Sequence, residues 1–370
     1  MTHGAGCFYI AGGGTGGHLY PGLAIADALT ALRPELNIRF IGAQRGIERT
    51  VLPGTSWPHT LLDLHPLYRA APWQNWKTAR GLATAFSGIG ELARKNPPIG
   101  ALGTGGYAAG ALLGYSRLNA VPYFLQEQNA VAGLTVRFFS GMARATYLGF
   151  PESAATLPAG ARSRAIVTGN PIAPPPSPLP PRALARQTFG FADVVNRVLL
   201  VFGGSQGSRA INDAVADWLP RGLPPRWGVI WVTGRNEFER LKGHASDRVH
   251  VVAYQQAMAE AYAAADLAVS RSGAMSTAEL CAWGIPMILI PLPSAAADHQ
   301  TQNAAALAEA NAAKLIVQSA LVSGALMKAL ADLCGDDSLL ATMGVSARAR
   351  ARVDAAQAIA KHILASLNLQ

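Results

Sequence analysis

The sequence predicts an α/β protein made of two doubly wound, Rossmann-like domains that face each other across a cleft. Strand-like and helix-like segments alternate along the chain and the alternation restarts after residue 197, a pattern typical of parallel sheets covered by helices. In each half a glycine-rich loop follows the first apolar run, at residues 11–18 and 202–208. A chain of 370 residues is also longer than a single core usually holds.

The individual elements are predicted from short apolar runs that end in glycine or polar residues. In the first half we predict strands at 8–10, 38–41, 99–102 and 122–125, and helices at 21–32 and 131–139. In the second half we predict strands at 198–201, 228–232, 249–252, 267–269, 287–290 and 314–317, and helices at 208–218, 256–264, 276–283 and 300–310.

A proline-rich stretch separates the two halves. Its proline density excludes a helix or an inner strand, so we predict a stiff linker at 169–181 between domains at 1–168 and 182–349. The alanine-rich segment 337–367 is predicted to be helical, and we expect residues from about 350 to 370 to pack back on the first domain.

Composition narrows the class of partner and compartment. The net charge is +9 and favours anionic partners, but the Lys and Arg residues are scattered, which argues against nucleic acid. Cys7, Cys281 and Cys334 are far apart and form no metal-binding or disulfide pattern, as expected in a reducing cytoplasm. We see no apolar run long enough to span a membrane and no signal peptide, so we expect a soluble or peripheral cytoplasmic protein.

The first glycine loop allows three interpretations. Gly12-x-Gly14-x-x-Gly17 fits the dinucleotide fingerprint, but no acidic residue follows the second strand, where Arg45 would suit only NADP. A tight turn without a ligand is the second interpretation. The third, which we favour, is that bare backbone N–H groups and the helix start bind an anion.

Two residues beside these loops are candidates for acid–base chemistry. His18 stands at the start of the helix, where it could cap or pack, or could touch a reacting hydroxyl or a phosphate. Glu127 lies in the polar run 126–129 after a predicted strand and is either a general base or part of a helix cap.

In the second half, polar residues follow two further strands. Residues 270–279 form a turn into a helix, where Ser272 could donate to a phosphate and Glu279 could accept both hydroxyls of a ribose or only complement the helix dipole. Residues 298–303 offer amides suited to sugar hydroxyls, or form an ordinary helix start.

The segment 67–89 is aromatic, apolar and basic at once. Trp73, Trp76, Lys77 and Arg80 predict an amphipathic helix that rests on an anionic membrane surface. The alternative is a helix whose stripe faces the core and whose basic edge is solvated.

Taken together, these segments resemble the MurG family, the N-acetylglucosaminyltransferases of peptidoglycan synthesis. The motifs run in family order from residue 12 to about 304. They are Gly13-Gly14-Thr15-Gly16-Gly17-His18-x-x-Pro21-Gly22-Leu23-Ala24, Gly105-Gly106-Tyr107, Glu127-Gln128-Asn129, Thr168-Gly169-Asn170-Pro171, Gly203-Gly204-Ser205-Gln206-Gly207 and Arg271-Ser272-Gly273-Ala274.

The resemblance implies a GT-B fold and an inverting transfer that needs neither a metal nor a cofactor. N-acetylglucosamine would pass from UDP-N-acetylglucosamine to the 4-hydroxyl of the muramyl residue of lipid I, which yields lipid II and UDP. The resemblance also implies a peripheral protein on the cytoplasmic face of the cell membrane. Its first domain would bind the lipid acceptor and its second domain the UDP-sugar.

The resemblance also assigns site residues. On the acceptor side it implies binding by Thr15, Gly16, Gly17, Tyr107 and Asn129, with His18 or Glu127 as the catalytic base. On the side of UDP-N-acetylglucosamine it implies binding by Ser205, Gln206, Arg271, Ser272, Gly273, Ala274, Glu279, Gln300 and Asn303.

Three positions depart from the family pattern, and three other functions compete with it. Gln126 replaces a histidine, Val136 replaces a frequent asparagine, and Ala173 replaces an arginine that would meet the donor. The competing functions are an NADP-dependent oxidoreductase, a non-catalytic peripheral scaffold that uses 67–89, and a UDP-N-acetylglucosamine 2-epimerase, which shares the GT-B architecture but needs no lipid acceptor.

Overall fold

A computed structural model of the protein describes residues 6–65, 73, 75–192, 194–204 and 206–369. Contacts divide the chain into two compact units. The first unit comprises Met1–Ile172 with Asp354–Gln370, and the second unit comprises Ala173–Val353.

In the described part of the first unit, seven parallel strands form one sheet in the order β3-β2-β1-β4-β5-β6-β7. They are β1 Cys7–Ala11, β2 Asn37–Ala43, β3 His59–Leu62, β4 Pro98–Gly103, β5 Tyr123–Glu127, β6 Ala145–Leu148 and β7 Ala165–Val167. The strand order reverses between β1 and β4, and in doubly wound sheets ligands bind at the carboxyl ends of such a pair. A ligand-binding site is therefore expected in the loops after β1 and β4.

The helices of the first unit connect these strands. They are α1 Gly16–Leu32, α2 Glu48–Val51, α3 Asn75–Lys95, α4 Gly106–Leu118, α5 Leu134–Phe139 and α6 Ala159–Arg162.

The second unit repeats this design. In its described residues six parallel strands follow the order β10-β9-β8-β11-β12-β13, and the order reverses between β8 and β11. The strands are β8 Arg197–Phe202, β9 Trp227–Val232, β10 Val249–Val252, β11 Leu267–Ser270, β12 Met287–Leu289 and β13 Ala313–Leu315. The helices are α7 Arg182–Gln187, α8 Arg209–Gly222, α9 Phe238–Leu241, α10 Met258–Ala264, α11 Ala274–Trp283, α12 His299–Glu309, α13 Ala325–Cys334 and α14 Asp337–Arg350.

The last helix, α15 (Ala355–Ser366), belongs to the core of the first unit. Its Ile359 and Ile363 are fully buried in the same apolar cluster as Phe8 of β1 and Ile25 of α1. The hydroxyl of Tyr147 on β6 also lies 2.9 Å from Nδ1 of His362.

The predicted elements agree with the structure more closely in the second half than in the first. In the first half β3, β6, β7 and α4 were not predicted; the three strands have only three or four residues each. The helix predicted at 21–32 begins at Gly16, because the end of the glycine loop is already helical. The single helix predicted over 337–367 is two helices, α14 and α15.

Candidate functional site

The first glycine loop encloses a carboxylate of the protein itself. Glu48, the first residue of α2, is fully buried, and its Oε2 accepts the N–H of Gly14 at 3.0 Å while its Oε1 accepts the N–H of Ala43 at 3.2 Å. A Cβ on Gly13 would lie 1.6 Å from Glu48 Oε1, so glycine is required there for packing. The expectation that the N–H groups of this loop are bare is therefore wrong at Gly14, whose partner is internal.

His18 lies in the first turn of α1 and is held from two sides. Its Nδ1 lies 3.2 Å from the Gly13 carbonyl and 3.3 Å from Oγ1 of Thr15. A carbonyl can only accept, so this geometry favours the tautomer with the proton on Nδ1, in which Nε2 is the basic nitrogen. The ring edge packs on Gly105, where a Cβ would come within 2.7 Å of His18 Cδ2.

Four of the other residues predicted on the acceptor side lie at the starts of α1 and α4, and the fifth, Asn129, follows β5. Thr15 and Gly17 are exposed at the start of α1, and Gly16 is half-buried between them. Tyr107, in the first turn of α4, packs on the loop, since its ring would be 3.1 Å from a Cβ at Gly14. The structure thus brings these residues together at the carboxyl ends of β1 and β4.

Glu127 sits at the end of β5 and is almost fully buried. Its Oε1 accepts both the backbone N–H and the side-chain amide of Asn129 at 2.9 and 3.1 Å, and its Oε2 accepts the N–H of Gly133 at 2.7 Å. Burial raises the pKa of Glu127, while these hydrogen bonds lower it. The carboxylate therefore holds the 127–133 turn and fixes the amide of Asn129.

The three departures from the family pattern have different surroundings. Gln126 is fully buried, and its amide donates to Asn170 Oδ1 at 3.1 Å, while Asn170 donates to the carbonyl of Gln128 at 2.9 Å. Val136 lies in the apolar core, and Ala173 is exposed. The residue at position 126 thus ties β5 to the end of the first unit.

The second unit contains a cavity of about 650 Å³ at the reversal point of its sheet. Loops after β8, β11 and β12 and the starts of α8, α11 and α12 surround it. Its lining residues are Gly203, Gly204, Gly207, Ser208, Arg209, Ala210, Asp213, Arg271, Gly273, Ser276, Leu292, Gln300 and Gln318.

The glycine loop at this cavity packs against the loop that follows β9. Gly207 has a φ of +78°, and a Cβ there would lie 2.2 Å from the carbonyl oxygen of Thr233. In turn, a Cβ on Gly234 would lie 2.5 Å from the carbonyl oxygen of Gln206. This close packing positions the start of α8, where Ser208 caps the helix by accepting the N–H of Ile211.

Two residues predicted to touch the donor make hydrogen bonds between the loops that surround the cavity. Ser272 is fully buried, and its hydroxyl donates to the carbonyl of Gln300 at 2.8 Å. Asn303 is also fully buried and donates to the carbonyl of Ser272 at 3.1 Å. Neither is among the residues that line the cavity, and their hydrogen bonds join the β11 and β12 loops; contact with the donor stays a prediction.

Arg271 and Gln300 line the cavity while bonding to its wall. The Arg271 guanidinium donates to the carbonyls of Ile290 and Pro291 at 3.0 and 2.9 Å and to Oε1 of Gln318 at 2.7 Å. Gln300 accepts the N–H of Leu292 through Oε1 at 3.0 Å, which leaves its NH₂ group as the donor end.

Glu279 lies on α11 outside the lining of this cavity. Its Oε2 accepts the hydroxyl of Tyr262 at 2.7 Å, and Tyr262 is itself buried. Burial raises the pKa of Glu279, and the bond from Tyr262 lowers it. The sequence gives no signal for the pairing of Tyr262 with Glu279, because the two residues lie on different helices, α10 and α11, 17 residues apart.

Of the remaining residues predicted to bind the donor, some line the cavity and others do not. Gly273 lines the cavity, with open space where a Cβ would be, and Ala274 follows it as the buried first residue of α11. Gln206 is exposed and does not line the cavity, and Ser205 lies outside the described residues.

Some residues that line the cavity are not predicted from the sequence. They include Arg209, Asp213, Ser276 and Gln318. Arg209 directly follows the glycine loop, and this position could have indicated it.

The aromatic and basic segment falls partly on helix α3. Residues 66–72 and 74 lie outside the described residues. The side chain of Trp73 is 74% exposed and that of Trp76 is 59% exposed. Within the described ranges, no helix combines the length and apolar character of a membrane span, and no group of three or more His, Cys, Asp or Glu residues could hold a metal ion.

Comparison with known proteins identifies the family. The model of the glycosyltransferase family 28 N-terminal domain matches residues 8–148, and that of the family 28 C-terminal domain matches residues 198–359. A UDP-N-acetylglucosamine–N-acetylmuramyl-(pentapeptide) pyrophosphoryl-undecaprenol N-acetylglucosamine transferase of Salinibacter ruber is 40% identical, over 96% of this chain and 95% of that protein. The chain belongs to the MurG family within glycosyltransferase family 28.

Solved structures agree with this assignment. The crystal structure of MurG from Acinetobacter baumannii matches 97% of this chain and 99% of that chain, with a TM-score of 0.76 and 28% identity. A UDP-GlcNAc 2-epimerase from Neisseria meningitidis matches with a TM-score of 0.64 over 97% of this chain and 99% of that chain, but at 14% identity it shares only the fold. The predicted GT-B fold and glycosyltransferase activity are confirmed, and the oxidoreductase, scaffold and epimerase alternatives are set aside.

Proposed function

We propose that this glycosyltransferase moves N-acetylglucosamine from UDP-N-acetylglucosamine to the 4-hydroxyl of the muramyl residue of lipid I, with inversion and without a metal. The cavity at the reversal point of the second unit carries the proposal, since such points bind nucleotides in this class of fold. The names of relatives give the same donor sugar and the same type of lipid-linked acceptor, and they support this part of the proposal.

The donor is proposed to bind the second unit, with its diphosphate at the start of α8. The N-terminus of this 14-residue helix carries a partial positive charge. Arg209 adds a full charge in the same cavity: its side chain is 77% exposed, and its Nε is 3.9 Å from Asp213, which also pairs with Arg240 at 2.7 Å. The positive charge of Arg209 would bind the donor in place of the arginine that the family usually has at the position of Ala173.

We expect Arg209→Ala to weaken UDP binding about tenfold, because a charge-assisted hydrogen bond to a phosphate is lost. Calorimetric titration with UDP at low ionic strength measures the loss, and added salt should shrink the difference between variant and wild type. Arg221→Ala, at the other end of α8 and also exposed, is the matched control. Equal affinity in both variants would remove Arg209 from the diphosphate site.

Glu279 is proposed to accept the ribose hydroxyls, with its carboxylate oriented by Tyr262. Tyr262→Phe removes the hydrogen bond that lowers the pKa of Glu279, so this pKa rises further. A protonated acid accepts hydrogen bonds less well than a carboxylate. As the pH is lowered, the UDP affinity of the variant should therefore begin to fall at a higher pH than that of the wild type. Dissociation constants for UDP measured from pH 8 down to pH 5 test this, with exposed Tyr254→Phe as the control. Superimposable profiles would contradict it.

The acceptor is proposed to bind the first unit, near Thr15, Gly16, Gly17, Tyr107 and Asn129. The muramyl 4-oxygen attacks C1 of the sugar, the bond from C1 to the diphosphate oxygen breaks, and the electron pair leaves with UDP. His18 Nε2 takes the hydroxyl proton, since its Nδ1 already donates to Gly13. Glu127 is proposed as a positioning residue, because both of its oxygens accept hydrogen bonds within the turn.

We further propose a peripheral location on the cytoplasmic face of the membrane. Trp73 and Trp76 expose large aromatic surfaces beside a basic segment, and such a combination favours anionic lipid. The first unit would be the acceptor and membrane-associating domain, and the second unit the domain that binds the UDP-sugar.

The decisive experiment measures UDP release from UDP-N-acetylglucosamine with and without a lipid I analogue. The proposal expects release that depends on the analogue, together with formation of a β-linked disaccharide. Release at the same rate without the analogue, or 2-epimerised sugar as the product, would contradict it.

A further inference from the structure

Glu48 is a buried carboxylate that the proposed mechanism does not use. It is fully buried, although the energetic cost of burying a charge requires that the charge be compensated. Its compensation comes from the backbone N–H groups of Gly14 and Ala43. Three glycines allow its side chain to fit, because a Cβ on Gly13, Gly42 or Gly46 would lie 1.6, 2.9 or 1.9 Å from a Glu48 atom.

The two glycine loops differ at this point. In the second unit, a Cβ added to Gly203 or Gly207 would meet backbone atoms or Ser208, and no carboxylate is among the nearest atoms. In the first unit the carboxylate occupies the position that an anionic ligand could otherwise take at Gly14. The first loop is thus a preformed structure with its own anion.

Through this loop, Glu48 is connected to the proposed base. Glu48 holds the N–H of Gly14, and the preceding residue, Gly13, presents its carbonyl to Nδ1 of His18 at 3.2 Å. The carbonyl of His18 itself accepts the hydroxyl of Thr104 at 2.7 Å. A shift of the Gly13–Gly14 peptide would therefore release the ring while the helix start stays tied to β4.

We propose that Glu48 is a positioning residue for His18: its carboxylate fixes the Gly13–Gly14 segment so that the Gly13 carbonyl sets the tautomer and direction of the imidazole. The proposal rests on the proposed function only through the role of His18 as base. The link between Glu48 and His18 is a property of the first unit alone.

Two variants disturb the carboxylate in different ways. Glu48→Gln keeps the shape but places an NH₂ group against a backbone N–H, and Gly46→Ala keeps the charge but puts a Cβ 1.9 Å from Glu48 Oε2. We expect each to lower kcat about 10- to 100-fold, since small misplacement of a catalytic group has effects of this size. KM for UDP-N-acetylglucosamine should change less than about twofold, because the donor site lies in the second unit. Glu35→Gln, an exposed carboxylate paired with Arg33, is the matched control.

A double-mutant cycle separates positioning from a general structural role. If Glu48 acts through His18, adding Glu48→Gln to His18→Ala causes no further loss of kcat. Losses that multiply, or a donor KM that rises with the fall in kcat, would overturn the proposal.

A second readout needs no turnover. Side-chain ¹H–¹⁵N spectra of the full-length protein should show His18 as the Nδ1–H tautomer in the wild type and as a mixture in both variants. An unchanged tautomer in both variants would refute the link between Glu48 and His18. If the tautomer changes in the variants as expected, but the wild-type protein shows no transferase activity, the proposed function is refuted and the link between Glu48 and His18 stands.

Discussion

His18→Ala should lower turnover by about 10²- to 10⁴-fold, the usual contribution of a general base. The affinity for UDP should stay within about twofold, because the ring contacts Gly13, Thr15 and Gly105, all in the first unit, and UDP is proposed to bind the second unit. Steady-state kinetics with a lipid I analogue and calorimetry with UDP give the two numbers.

The matched control for this substitution is His59→Ala. His59 also has its Nδ1 near a backbone carbonyl, that of Trp57 at 3.0 Å, but it lies at the amino end of β3. Turnover of the control should remain within about twofold of the wild type. If His18→Ala retained wild-type turnover, the base would have to be another group, and Glu127→Gln would then be the next variant to measure.

Gly207→Ala should lower UDP affinity by about 100-fold or more. The residue has a positive φ, which is unfavourable for alanine, and the new Cβ would lie 2.2 Å from the carbonyl oxygen of Thr233. Backbone must move to relieve this contact, and the loop that moves forms the cavity wall at the start of α8. Calorimetric titration with UDP measures the effect.

The control here is Gly243→Ala. Gly243 lies in the same unit, has no atom within 4 Å of an added Cβ, and does not line the cavity. Thermal unfolding of both variants separates loss of binding from loss of the fold. A folded Gly207→Ala protein that binds UDP like the wild type would show that the loop does not contribute to the donor site.

The outline of the fold could be predicted because its signals are local. Buried parallel strands such as 198–201 and 267–269 are continuous apolar runs, and each glycine loop directly follows its strand. The edge strands β3 and β7 were missed because they are short and only partly buried. Their position depends on neighbours that are distant in the sequence.

The internal partners of the polar residues could not be predicted in the same way. Glu48 lies 34 residues from Gly14, and Asn303 lies 31 residues from Ser272. A sequence shows that such residues are polar and near a strand end, but it does not show whether their hydrogen bonds are used within the protein or offered to a ligand. This is why the prediction that Ser272 and Asn303 contact the donor does not anticipate the hydrogen bonds that each makes within the protein.

The position of α15 determines when the first unit can finish folding during synthesis. Ile359 and Ile363 complete the apolar layer around Phe8 and Ile25, yet they are made only after the whole second unit. On the ribosome, the nascent amino-terminal half therefore carries an uncovered apolar strip on α1 until α15 emerges. A chain that stops near residue 353 would retain that strip permanently, and it would be prone to aggregation even though every residue that lines the cavity of the second unit is present.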